Sequence, residues 1–352
     1  MRLLITTQAV DLDDPVLGFM HRWIEVLAPR YQSIEVICLK RGRMHLPSNV
    51  QVHSLGKTAV SCQLSAFRKM LVRIQYLFFF YRYIWNLRRN YDAVFVHMNQ
   101  EYVLLGGIFW RLSGKKIILW RNHKKGSWMT RLVGVLANTV CYTSSAAYVA
   151  HFKNAEQMPI GIDTERFVPP EVAPPTGSIL FLGRIDEVKK PIEFLNALNM
   201  LVDQHIDFHA DIYGDPTYPD DPYFKRFTDA AQSLVENGYV TLYPSVRNED
   251  TPKIYGAHQI YVNLTPSGSF DKTIGEAMAC GCIVVVANDA VREVIGDDFF
   301  AGDATGVARA LTAAFARTPE ELSEAGKHNR AFIEQEHSLA LLADKIGDLF
   351  ER

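Results

Sequence analysis

Cysteine is scarce in this chain of 352 residues: Cys38, Cys62, Cys141, Cys280 and Cys282 are odd in number and scattered. A disulfide framework does not fit that pattern. Cys280 and Cys282 form a C-x-C with no second Cys/His pair nearby to complete a zinc site. Reduced, buried thiols are the expectation. The apolar aromatic stretch 66–90 is broken by Arg73 and Arg82, so it makes a poor bilayer span. The opening MRLLITTQAV lacks a signal-peptide pattern, its apolar stretch being short and β-like, and a cytoplasmic location is expected. No G-x-G-x-x-G follows the first apolar strand, and neither a Walker loop nor a G-x-S-x-G occurs, which weakens the dehydrogenase, NTPase and hydrolase readings.

What is present has an ordinary globular balance, 48% hydrophobic and 22% charged, in a length that suits two domains. The net charge of −2 hides a split: residues 1–165 hold 21 Lys and Arg against 10 Asp and Glu, and the remainder is acidic. A basic half points to an anionic partner: a membrane surface, a phosphate-bearing lipid or nucleic acid. Continuous apolar strands alternate with helical periodicity in both halves. Strands are expected at 3–7, 33–39, 92–98, 115–120 and 138–143, then at 178–183, 209–214, 239–243, 259–264 and 282–287. That grammar predicts an α/β chain with two doubly wound, Rossmann-like parallel sheets. The segment FVPPEVAPPTG, with four prolines, reads as a linker at 167–177. The expected division is 1–166, the linker, and 178–334, with a C-terminal helix at about 335–352 packing back on the first domain.

Residues 66–90, AFRKMLVRIQYLFFFYRYIWNLRRN, predict a helix. It reads either as a core helix whose arginines snorkel outward or as an interfacial helix on anionic lipid. No nucleic-acid recognition motif accompanies its charge, so nucleic acid is not an expected partner.

Ligands of open α/β sheets bind beyond the carboxyl ends of strands. After the strand at 178–183 comes RIDEVKK, where Arg184, Lys189 and Lys190 sit before a helix: a diphosphate site or a solvated charged turn. After 259–264 comes TPSGSFDKTIGEAMACG, where Glu276 near a helix start either accepts ribose hydroxyls or only complements the helix dipole. In the first half, His97 and His123 follow strands, and Gly18 precedes a helix that could admit a phosphate or sugar. The run Asp11, Asp13 and Asp14 reads as a solvated loop.

These segments together resemble the retaining glycosyltransferases of family 4. GRIDEVKKPIEFLNAL at 183–198 is similar to that family's "GR…K" segment, PIGIDTERFVPP at 159–170 to its lead into the second domain, and TPSGSFDKTIGEAMACGCIVVVA at 265–287 to its E-x7-E segment. The resemblance implies a GT-B fold, two Rossmann-like domains facing a central cleft. It implies retaining transfer of a hexose-type sugar from a UDP- or GDP-sugar to a glycan or lipid-linked acceptor, without metal or other cofactor, in cell-envelope or glycolipid synthesis. By the same resemblance Arg184 and Lys189 bind the diphosphate, with Gly183 beside them, Glu276 binds the ribose, and His123 lies near the sugar with His97 on the acceptor side. Gly268, Ser269, Phe270, Asp271, Lys272 and Thr273 would line the donor, and Gly18 would approach it from the first domain. One departure is plain. The first Glu of E-x7-E, which in the family touches the donor sugar, is here Gly268, with Asp271 as a nearby carboxylate, so the donor sugar is left open and a non-catalytic sugar-nucleotide or glycan binder stands as an alternative. Another GT-B activity, such as a nucleotide-sugar 2-epimerase or an inverting transferase, is the second enzyme reading.

Overall fold

Short runs of Val, Ile and Leu, bounded by turn residues, form strands that, among the described residues, pair in parallel. The computed structural model describes residues 1–14, 16–57, 66–218 and 220–352. It divides into two compact units, residues 1–158 with 342–352, and residues 159–341.

The first unit holds β1 (Arg2–Val10), β2 (Ser33–Arg41), β3 (Val50–Ser54), β4 (Ala93–His97), β5 (Lys116–Trp120), β6 (Thr139–Tyr142) and β7 (Ala155–Gln157), in the sheet order β3-β2-β1-β4-β5-β6-β7. Its helices are α1 (Phe19–Leu27), α2 (Ala66–Asn86), α3 (Gln100–Leu112) and α4 (Trp128–Leu136). Helices α2, α3 and α4 cover one face, where Phe80, Ile84, Val103, Trp110 and Val133 join strand residues in one core. On the other face Trp23 of α1 meets the rings of Trp120 and His97 at 5.1 and 5.6 Å. The apolar runs were legible; β3 and β7 were not, because VQVHS and AEQ are short and polar.

The second unit is a five-stranded sheet, β10-β9-β8-β11-β12, built from β8 (Ser178–Leu182), β9 (His209–Tyr213), β10 (Val240–Tyr243), β11 (Ile260–Asn263) and β12 (Ile283–Val286). Its helices are α5 (Pro191–Asp203), α6 (Pro222–Glu236), α7 (Thr251–Gly256), α8 (Lys272–Ala279), α9 (Arg292–Ile295), α10 (Ala304–Phe315) and α11 (Pro319–Glu336). Helices α5, α6 and α10 pack on one face, and α7, α8 and α11 on the other. A last helix, α12 (Leu339–Glu351), carries the chain from Leu342 onward into the first unit.

The boundary falls between Met158 and Pro159, ahead of the expected 166/167. Ile160, Ile162 and Phe167 are buried in the core beneath α8, which holds 159–177 in the second unit. At the other end a bridge between Ile162 and Ser338 keeps 335–341 there too. Asp11 also differs from a solvated residue. It is buried, pairs with Lys40 at 2.7 Å, and its Oδ1 accepts the N–H groups of Asp13 and Arg43 at 3.1 Å. Cys38, Cys141, Cys280 and Cys282 are buried free thiols, and Cys62 lies outside the described residues.

Candidate active site

The strand order of the second unit reverses between β8 and β11, which pair side by side while their connections run to opposite edges. Loops leaving the carboxyl ends of two such strands diverge and open a crevice, the usual ligand position in this class of sheet. The loop after β8 spans 183–190, and the loop after β11 spans 264–271.

Arg184 stands two residues after β8 and is exposed, pairing with Asp186 at 3.4 Å. Lys189 is different. Its backbone N–H donates to Asp186 Oδ1 at 3.1 Å, and its aliphatic stem runs back over Gly183, passing 3.7 Å from where a β-carbon would stand. A β-carbon at 183 would make only ordinary contact with that stem. The Lys189 ammonium then reaches the Asp271 carboxylate, and both side chains are largely out of water. The two loops are therefore joined by an ion pair.

Asp271 serves several donors at once. It caps α8 by accepting the Thr273 N–H and hydroxyl at 3.3 and 3.1 Å, and it takes Asn263 Nδ2 and Thr265 Oγ1 at 3.2 Å each. Burial pushes its carboxyl up, but the Lys189 charge and these hydrogen bonds outweigh that and hold it at about 2. It is a committed carboxylate, and the Thr273 N–H is spent on the cap.

Glu276 lies one turn further along α8 and is buried. Asn248 Nδ2 donates to its Oε1 at 3.2 Å and the Tyr255 hydroxyl to its Oε2 at 3.3 Å. Burial pushes its carboxyl upward, opposed by Lys272 and these two donors. Lys272, at i−4 on the same helix, donates to the carbonyls of Ile160 and Gly161 at 3.1 and 2.9 Å, and burial pulls its ammonium downward against the charges of Glu276 and Asp163. The small residues of this helix serve packing. A β-carbon at Gly275 would stand 2.7 Å from Ile160 Cδ1 and 2.9 Å from Ile162 Cγ1.

The remaining expected residues divide. Gly268 and Ser269 lie in the loop after β11, the Ser269 carbonyl accepting Asn288 Nδ2 at 2.8 Å, while Phe270 is buried with its ring 4.9 Å from that of His337. Gly18, His97 and His123 belong to the first unit. A β-carbon at Gly18 would stand 2.8 Å from the Asp14 carbonyl, so the close turn ahead of α1 accounts for this glycine. His97 is buried against Phe19 and Trp23, and its Nδ1 lies 3.2 Å from the Thr7 hydroxyl. His123 is exposed after β5, its Nδ1 accepting the Lys125 N–H at 3.0 Å. Sequence reasoning missed Asn248, Tyr255 and Asn263. Asn263 had a signal, a lone amide closing an apolar strand; Asn248 and Tyr255 had none.

Residues 176–349 match the sequence model of the family described as Glycosyl transferases group 1. Sucrose-phosphate synthase from Thermosynechococcus elongatus is similar with a TM-score of 0.78 at 16% identity, covering 99% of this chain and 98% of that one. Anabaena HepE in complex with UDP-glucose is similar at 0.75 and 15%, over 100% of this chain and 99% of that one. An E. coli trehalose-6-phosphate structure bound with UDP-2-fluoro glucose gives 0.72 at 11%, over 100% and 99%. No curated protein matches the chain.

Proposed function

We propose, for a chain that carries a glycosyl transferases group 1 domain at residues 176–349 and has the GT-B fold, that it moves a hexose-type sugar from a nucleoside-diphosphate sugar to a hydroxyl acceptor with retention of configuration. The observation that carries this reading is the pairing of functions at the β8/β11 reversal. Arg184 and Lys189 leave one strand end with positive charge, and Glu276 stands on the helix that follows the other. The cations take the diphosphate, and the carboxylate accepts ribose hydroxyls. Donor-bound relatives hold UDP-glucose and UDP-2-fluoro glucose, so a UDP-hexose is the first donor to test.

In this mechanism the bond between sugar C1 and the diphosphate oxygen breaks, and the leaving diphosphate gains charge that Arg184 and Lys189 are placed to stabilise. The acceptor hydroxyl attacks from the face the diphosphate leaves and gives its proton to the departing phosphate oxygen. No metal is assigned a step. His123 is placed near the sugar only by family resemblance. Supporting an amphiphilic, lipid-linked acceptor is a pocket of about 670 Å³ in the first unit, apolar along Leu39, Leu77, Phe80 and Leu105 and polar at Lys57 and Asn99. Such an acceptor suits envelope or glycolipid synthesis on the cytoplasmic side of a membrane. A second reading, binding without transfer, is favoured by Gly268, which leaves no carboxylate at its position. Release of UDP from UDP-glucose when an acceptor is added, with an α-linked product by NMR, supports transfer; a donor that binds and is never turned over with any acceptor supports the second reading.

Glu276→Gln weakens donor binding about 10–100-fold in this account, since a charged acceptor of two hydroxyl hydrogen bonds is lost. The pH dependence has a defined sign. The carboxyl is raised by burial, so in the wild type it takes a proton in mild acid and donor affinity rises with pH as the proton leaves. Folding stability runs the other way: the raised group contributes most below its unfolded value of 4.5, and that contribution is lost as pH rises through the folded value. Titration calorimetry across mild acid to neutral pH checks both enzymes; the Gln variant gives a flat affinity profile.

A further inference from the structure

The outer side of the α2–α3–α4 layer, turned away from the first unit's sheet, carries an apolar surface that core packing does not use. On α2, Phe67, Leu71, Ile74, Phe78, Tyr81 and Trp85 recur at alternating spacings of four and three, which places them on one stripe, and each leaves 46 to 65% of its surface exposed. The packing is done by a separate stripe, where Phe80 and Ile84 are buried and Tyr76, Tyr83 and Leu87 lie against them. Helices α3 and α4 continue the surface with Ile108 and Leu112, then Trp128, Leu132 and Val135, all exposed.

The three helices are fastened side by side. The Tyr81 hydroxyl donates to the Leu105 carbonyl at 3.2 Å, the rings of Trp85 and Phe109 lie 5.9 Å apart, and Arg111 Nη2 donates to the Val135 carbonyl at 3.3 Å. Their inner sides feed one core cluster, so their outer sides form one continuous face. An apolar face of this kind marks an interaction surface.

Charge selects the occupant. Between residues 66 and 155 the only carboxylates are Asp92 and Glu101, against fourteen Lys and Arg. On α2 Arg68, Gln75 and Arg82 repeat every seven residues, a row next to the apolar stripe, and Arg89 follows in the turn after the helix. A second copy docked through this face would bring the same arginines and no carboxylate to meet them. An anionic bilayer supplies both complements: headgroup charge for the arginines, and the headgroup–acyl boundary for Trp, Tyr and Phe. No helix among the described residues is long and apolar enough to cross a membrane, so the face lies on the bilayer.

We propose that the outer face of α2, α3 and α4 docks flat on an anionic lipid surface. The inference does not rest on the donor reading, because every residue in it belongs to the first unit. The test is co-sedimentation of the full chain with vesicles of phosphatidylcholine alone and of phosphatidylcholine mixed with phosphatidylglycerol. The wild type pellets with the mixed vesicles, stays in solution with phosphatidylcholine alone, and is released by added salt. The double variant Phe78→Ser/Trp85→Ser and, separately, Arg82→Glu/Arg89→Glu each lower partitioning by about tenfold or more. Because Phe78 and Trp85 are more than half exposed and Arg82 and Arg89 are exposed, both variants stay folded, Arg82→Glu/Arg89→Glu melts as the wild type does, and donor affinity is unchanged in both. Wild-type protein that remains in solution with anionic vesicles overturns the proposal, as does binding that neither variant weakens. A dimer in sedimentation velocity that Phe78→Ser/Trp85→Ser dissociates, with no vesicle binding, assigns the face to a second copy instead.

Discussion

Replacing Arg184 with alanine lowers turnover about 10²–10³-fold and leaves the melting temperature unchanged. The magnitude is that of losing one preorganised donor aimed at charge that develops in the transition state. Unchanged stability follows from its surroundings: the guanidinium is more than half exposed and, among the described residues, its ion pair is the 3.4 Å one with Asp186, and exposed ion pairs contribute little. The loss falls on kcat as well as on kcat/KM, because the diphosphate gains its charge only as the bond breaks. Steady-state kinetics with thermal denaturation on the same sample reads both. Wild-type turnover in the variant removes Arg184 from the diphosphate site.

Lys189 gives the second large effect, and there activity and stability separate only in a double variant. Lys189→Met strands the Asp271 carboxylate in a largely buried site, which costs about 3 kcal/mol as well as turnover. Lys189→Met/Asp271→Asn removes the stranded charge, and Asn still caps α8. Stability then returns toward wild type while turnover stays down about 10²-fold or more. Were the pair only a clamp between the two loops, turnover would recover with stability. A pH scan reads the same pair. Asp271 is held at about 2 against 3.8 in an unfolded chain, so its contribution is full above pH 3.8 and is lost as pH falls toward 2. Asp271→Asn removes that acid-side loss.

Much of this was written in the local sequence. The central strands of the two sheets are largely apolar runs, and such runs declare themselves because both faces of a parallel sheet are covered, whereas β3 and β7 do not. That Arg184 and Lys189 follow the end of β8, and that Glu276 stands on the helix after β11, was legible from the strand ends alone. The Lys189–Asp271 pair was not, since it joins residues 82 apart through the adjacency of β8 and β11. Asp271 looked like a substitute for the carboxylate absent at Gly268; the fold instead uses it as a helix cap and lysine partner. Gly268 is not among the glycines with a left-handed φ, so the turn does not impose glycine there. The domain boundary was misplaced because the prolines of 167–177 punctuate the chain visibly, while Ile160 and Ile162 reveal their allegiance only through packing beneath α8.

The central claim is that the groups flanking the β8/β11 reversal hold the diphosphate and ribose of a nucleotide sugar. Calorimetric titration of the wild type and of Arg184→Ala and Glu276→Gln with UDP-glucose, and in parallel with a GDP-hexose, tests it most directly. The account predicts saturable single-site binding of one of the two donors, weakened at least about tenfold in each variant. Binding of neither donor, or equal affinity in all three proteins, contradicts it.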